Sequence, residues 1–66
     1  MHWNDIEIIA SELENDYSDE DIPEGDLASL KEMVLSLTKF EDHEVDVKDI
    51  VLKQIIEHWL ELRSSL

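Results

Sequence analysis

The sequence predicts an all-α domain, a small three-helix bundle. Apolar residues recur at three- and four-residue spacing in three separate stretches, and each stretch follows an Asn, Asp or Ser suited to capping a helix. No segment longer than a few residues alternates with strand period. A chain of 66 residues has room for one domain, spanning 1–66, and one core. A core of that size supplies only ~3–5 kcal/mol of net stability. No cysteine is present, so no disulfide adds to it.

The first helix is expected to start at Asn4, where Asn4 and Glu7 have capping-box spacing. Ile6, Ile9, Ala10, Leu13 and Tyr17 then mark one face, and Trp3 against Ile8 would form a hydrophobic staple. The pattern breaks between Tyr17 and Asp26. That stretch holds the only Pro and the only Gly and is dense in carboxylates, so it reads as an acidic loop between helices 1 and 2, with room for a short extended piece in Ser18–Gly25. The second helix starts near Asp26 or Ser29, with Leu30, Met33, Val34 and Leu37 as its buried stripe and Phe40 closing it. Glu41-Asp42-His43-Glu44 is a polar connection. The third helix is capped by Asp46 or Asp49. Ile50, Val51, Ile55, Trp59 and Leu62 line one broad face, which Leu52, Ile56 and Leu60 widen.

Charge bounds the function. Eighteen Asp and Glu stand against five Lys and Arg, a net of −13. Such a surface repels nucleic-acid phosphate and anionic lipid, and it attracts basic protein surfaces and hard cations. The same self-repulsion lowers stability at low salt and favours a monomer. Without cysteine, thiolate catalysis and tetrathiolate zinc sites are excluded. A cytoplasmic location fits. Neither a signal peptide nor a membrane-spanning run is legible.

Motifs for chemistry are sparse. His58 and Glu61 lie one helical turn apart, a metal-ligand spacing, but two polar groups on an exposed helix face is the plainer reading. An enzyme built on them would also need a cleft that so short a chain hardly offers. Aligning Gly25 to the glycine of a calcium-binding EF-hand loop puts Ile22 and Lys31 at ligand positions, so that match fails. What remains is diffuse acidity: Asp5, Glu12, Asp16, Asp19, Glu20 and Asp21 on or near the first helix and its exit. Glu12 and Asp16 are four apart on one helical face and repel each other unless a cation lies between. Mg²⁺, Mn²⁺ or Fe²⁺ would suit such oxygen ligands.

In this order and spacing the chain resembles the IscX (YfhJ-like) family of iron–sulfur cluster assembly proteins. The likeness runs without gaps from Trp3 to about Glu61. It is carried by Trp3-Asn4-Asp5, by Ile9 and Leu13, by Asp19-Glu20-Asp21, by Leu37-Thr38-Lys39-Phe40-Glu41-Asp42, and by Leu52, Ile55 and Trp59. The chain departs from the family at Gly25-Asp26-Leu27-Ala28-Ser29, at Pro23, at Asp42-His43-Glu44 and at Val47-Lys48-Asp49, so it resembles a divergent member. The resemblance implies a small orthogonal, winged-helix-like bundle that is too acidic to bind DNA. It implies weak binding of Fe²⁺ by surface carboxylates and docking on the cysteine desulfurase IscS, on a surface that frataxin and ferredoxin also use.

The expectation is therefore a non-catalytic acidic adaptor or regulator. Asp5, Glu12, Asp16, Asp19 and Asp21 are its candidate metal contacts, and the same residues with Glu20 are its partner contacts. Trp3, Leu13, Leu37, Phe40, Ile55 and Trp59 are assigned to the core. The rival reading is an acidic nucleic-acid mimic or another protein-interaction module.

Overall fold

A computed structural model describes residues 1–42 and 47–65. Three helices follow in order: α1 (Ile6–Asp16), α2 (Leu27–Leu35) and α3 (Asp49–Ser65). Among the described residues there is no strand, so the all-α expectation holds and the Ser18–Gly25 stretch is not a strand.

The core forms where the three apolar stripes meet. Ile9, Ala10 and Leu13 of α1 pack with Leu30 and Val34 of α2 and with Leu52, Ile55, Ile56 and Trp59 of α3, and Trp3 and Leu37 complete the buried cluster. Five of the six side chains assigned to the core from the sequence are in it, and the sixth, Phe40, packs half-buried against its edge. α1 packs most extensively on α3. Later residues of α3 meet later residues of α1: His58 lies beside Asn4–Ile8, whereas Arg63 reaches Glu14 and Tyr17.

Several local expectations are corrected. The first helix begins at Ile6, not Asn4, because the turn before it is built on Asp5: the Asp5 amide donates to the His2 carbonyl at 2.9 Å, and the Asp5 carboxylate accepts the His2 amide at 2.9 Å. The staple between Trp3 and Ile8 does not form. Trp3 turns instead onto Phe40, edge to face with ring centroids 4.9 Å apart, and leaves Ile8 53% exposed.

The second helix is capped by Asp26, whose carboxylate accepts both the amide of Ser29 at 3.1 Å and its hydroxyl at 2.8 Å. It ends at Leu35, so Leu37 and Phe40 reach the core from turns beyond it. The third helix buries a narrower stripe than its apolar content suggested. Ile50 is 59% and Leu62 37% exposed, because Leu52, Ile55, Ile56 and Trp59 already fill the seam at the spacing of one helical face. Asp49 is its first helical residue, not a cap flanking it. The alternative cap Asp46, together with His43 and Glu44, lies outside the described residues.

Candidate acidic docking surface

The carboxylates are unevenly placed. Residues 1–26 hold ten Asp and Glu and no Lys or Arg, whereas 27–66 hold the other eight and all five basic residues. The two parts carry −10 and 5 − 8 = −3. Almost the whole excess of negative charge therefore belongs to α1, the turn before it and the connection after it.

The structure divides the six predicted residues into three environments. Asp5 is half-buried and holds the His2 amide, a structural task. Glu12 faces Lys39, with Nζ 3.6 Å from its carboxylate, so its repulsion with Asp16 is partly relieved. Asp16, Asp19, Glu20 and Asp21 are exposed at the C-terminal end of α1, and among the described residues none of their side chains has an ion-pair or hydrogen-bond partner. Eleven residues at 1.5 Å each put Asp5 about 16 Å from Asp16, too far to share one ion or one contact.

The acidic end of α1 has the wrong sign for its position. A helix C-terminus carries partial negative charge and favours a cation, yet the last turn of α1 contains no basic residue. The cation comes from α3. Arg63 donates from Nε to the Glu14 carboxylate at 3.0 Å and from Nη2 to the Tyr17 carbonyl at 2.9 Å, and from Nη1 to the Glu20 carbonyl. Glu14 also accepts from the indole Nε1 of Trp59 at 2.9 Å, and the guanidinium stacks 5.4 Å from the centroid of that indole. One side-chain cluster thus joins core, helix end and acidic connection.

Sequence reasoning placed Trp59 in the core and missed Glu14 and Arg63. The sequence places each of them on a stripe but does not pair them. Arg63 lies four residues after Trp59 and Glu14 four after Ala10, so each continues the buried stripe of its helix.

The grooves of the surface are open and shallow. One of about 440 Å³ is lined by Ser11, Glu12, Glu14, Asn15, Ser18 and Leu62. Another, of about 370 Å³, is lined by Asn4–Ile8 and His58. His58 is half-buried and Glu61 exposed. Among the described residues no three His, Asp or Glu side chains converge in a way that could hold a metal ion. Among the described residues, then, the donors form no preformed cage for resident iron.

These features define a small, strongly acidic, all-helical protein whose excess charge lies on α1 and the segments that flank it. A family model described as iron–sulphur cluster assembly matches residues 1–64. The chain belongs to that family, the IscX (YfhJ-like) family of iron–sulfur cluster assembly. No curated protein and no solved structure gives a match in comparison with the chain. No described helix is long and apolar enough to cross a membrane.

Proposed function

We propose that this protein is a non-catalytic accessory factor of iron–sulfur cluster assembly that docks on an IscS-type cysteine desulfurase through the C-terminal end of α1 and the connection that follows. The observation that carries the reading is the cluster Asp16, Asp19, Glu20 and Asp21: exposed, without partners among the described residues, on a segment with no basic residue. Charge of one sign steers association with a surface of the other and speeds encounter. On this reading, Asp5 and Glu12 contribute to the long-range field and are not contact residues.

Fe²⁺ enters as weakly held cargo. With no three-ligand cage among the described side chains, the ion would keep most of its water and touch one or two of the loop carboxylates. The family resemblance further implies a winged-helix-like, orthogonal arrangement of the helices, and on this reading the protein works as a cytoplasmic monomer that competes with frataxin and ferredoxin and does not bind nucleic acid.

Calorimetric titration into a cysteine desulfurase, with and without Fe²⁺ and at low and physiological salt, tests the reading. Charge-led docking predicts clear weakening as salt rises over that range. Binding that ignores salt, or no binding at either concentration, would count against it.

A further inference from the structure

We propose that Arg63 is the positioning residue of the acidic connection, fixing where Asp19, Glu20 and Asp21 stand relative to α1. The inference rests on the docking role proposed above and adds to it a residue outside the acidic segment.

Tyr17 and Ile22 pack half-buried against the core on either side of the acidic stretch 18–21, but that stretch itself sends no side chain inward. After Tyr17 the chain leaves the helix, and Ser18, Asp19, Glu20 and Asp21 are all exposed. Exposed, like-charged side chains repel one another and favour an open, mobile segment. Two observations oppose that tendency. The Glu20 amide donates to the Tyr17 carbonyl at 3.1 Å, closing a turn. The guanidinium of Arg63 is then shared between the carbonyls at the two ends of that turn, Tyr17 and Glu20. The acidic side chains are left unpaired because the cation takes backbone oxygens and the carboxylate of Glu14 instead of them.

Arg63 is itself held. Glu14 takes its Nε, and the Trp59 ring lies against its face. Trp59 is fully buried, so the reference frame for the guanidinium is the core. A planar fork that bonds three acceptors at once is a task for Arg; the ammonium of Lys carries the charge without the geometry. Arg63 also supplies the cation that the last turn of α1 lacks.

Amide exchange measured by NMR on the free protein, for the native chain, Arg63→Lys and Arg63→Ala, is the test. Arg63→Ala is expected to speed exchange of the Glu20 amide and its neighbours about tenfold, while the amides of Leu30, Val34 and Ile55 keep their protection relative to the native chain. Arg63→Lys is expected to follow Arg63→Ala at Glu20. Unchanged exchange at Glu20 in Arg63→Ala overturns the proposal, as does full restoration by Lys.

A binding arm separates positioning from charge. Removing Arg63 makes the protein more acidic, so simple attraction predicts equal or tighter binding to a cysteine desulfurase, whereas loss of position predicts binding about tenfold weaker. Faster exchange with weaker binding supports both the positioning role and the docking role. Faster exchange with unchanged binding keeps the positioning role of Arg63 and removes the connection from the docking surface.

Discussion

The two ends of α1 use the same residue types for opposite purposes. At the N-terminal end most of the acidic groups are spent on structure, exposed Glu7 of the first turn being the exception. Asp5 holds the His2 amide, Asp42 accepts the Trp3 amide at 3.4 Å, and Glu41 stands 3.8 Å from the Met1 amino group. The backbone there is tied as well: the Met1 amino group donates to the Lys39 carbonyl and the Glu41 amide to the Met1 carbonyl, at 3.1 and 3.0 Å. At the C-terminal end the tie is made by one cation to Glu14 and to backbone oxygens, and the carboxylates of Asp16, Asp19, Glu20 and Asp21 are left over. Acidity alone therefore says little about which Asp or Glu meets a partner. What separates them is whether the local donors have already been used on the carboxylate or on the backbone beside it.

Removing the common anchor should have the largest effect. Trp59→Ala deletes a fully buried ring, with an expected cost of ~3–5 kcal/mol, comparable to all the stability a core of this size supplies. Far-UV circular dichroism should show a largely unfolded chain at low salt. A variant that remains fully helical would mean that the core does not depend on α3 as described.

Smaller changes should separate the two ends. Asp5→Ala removes a structural acceptor and should lower stability by about 0.5–1 kcal/mol in denaturant titration. Replacing Asp19 and Asp21 together by Asn should stay within about 0.5 kcal/mol of the native chain, on the stabilising side, because it relieves repulsion and breaks no bond among the described residues. If the loop variant proved the less stable of the two, the division of labour between the ends would be wrong.

The α2 cap gives a pH signature. The Ser29 hydroxyl, and then its amide, hold the Asp26 carboxyl below its ordinary value of 3.8. A carboxyl lowered in the folded state stabilises above its unfolded value, and that contribution is lost as pH falls through the lowered one. Asp26→Ala should thus melt earlier than the native chain near neutral pH. The gap between the two should close as the pH drops below 3.8. A gap independent of pH would assign the cap to backbone geometry and not to the ionised carboxylate.

Much of this was legible in the sequence, and the misses share a cause. Periodicity located the three helices and most of the core, since Ile9, Leu13, Leu30, Val34, Ile55 and Trp59 are all fully buried. It marks a face but not its centre, so Ile50 and Leu62 were placed too far inside. Local spacing offered Asn4 as a cap and Ile8 as a staple partner; the turn between His2 and Asp5 displaced the first, and contacts nearly forty positions away overruled the second, since Trp3 packs on Phe40 and bonds to Asp42. The Arg63 cluster was missed for the same reason. Glu14 and Arg63 are 49 positions apart, and no local pattern connects them. For the docking surface, total charge suggested the kind of partner, while separating the unpaired carboxylates from the structural ones required the fold.

The central claim is that the unpaired carboxylates after α1 are the ones that meet the partner. The most direct test is to titrate the native chain, the Asp19→Asn, Asp21→Asn double variant and Asp5→Ala into a cysteine desulfurase by calorimetry at low salt. The account predicts that the double variant binds at least about tenfold more weakly, while Asp5→Ala, once its folded fraction is allowed for, stays within about threefold. Equal losses in the two variants, or a larger loss in Asp5→Ala, would contradict it and place the interface at the other end of α1.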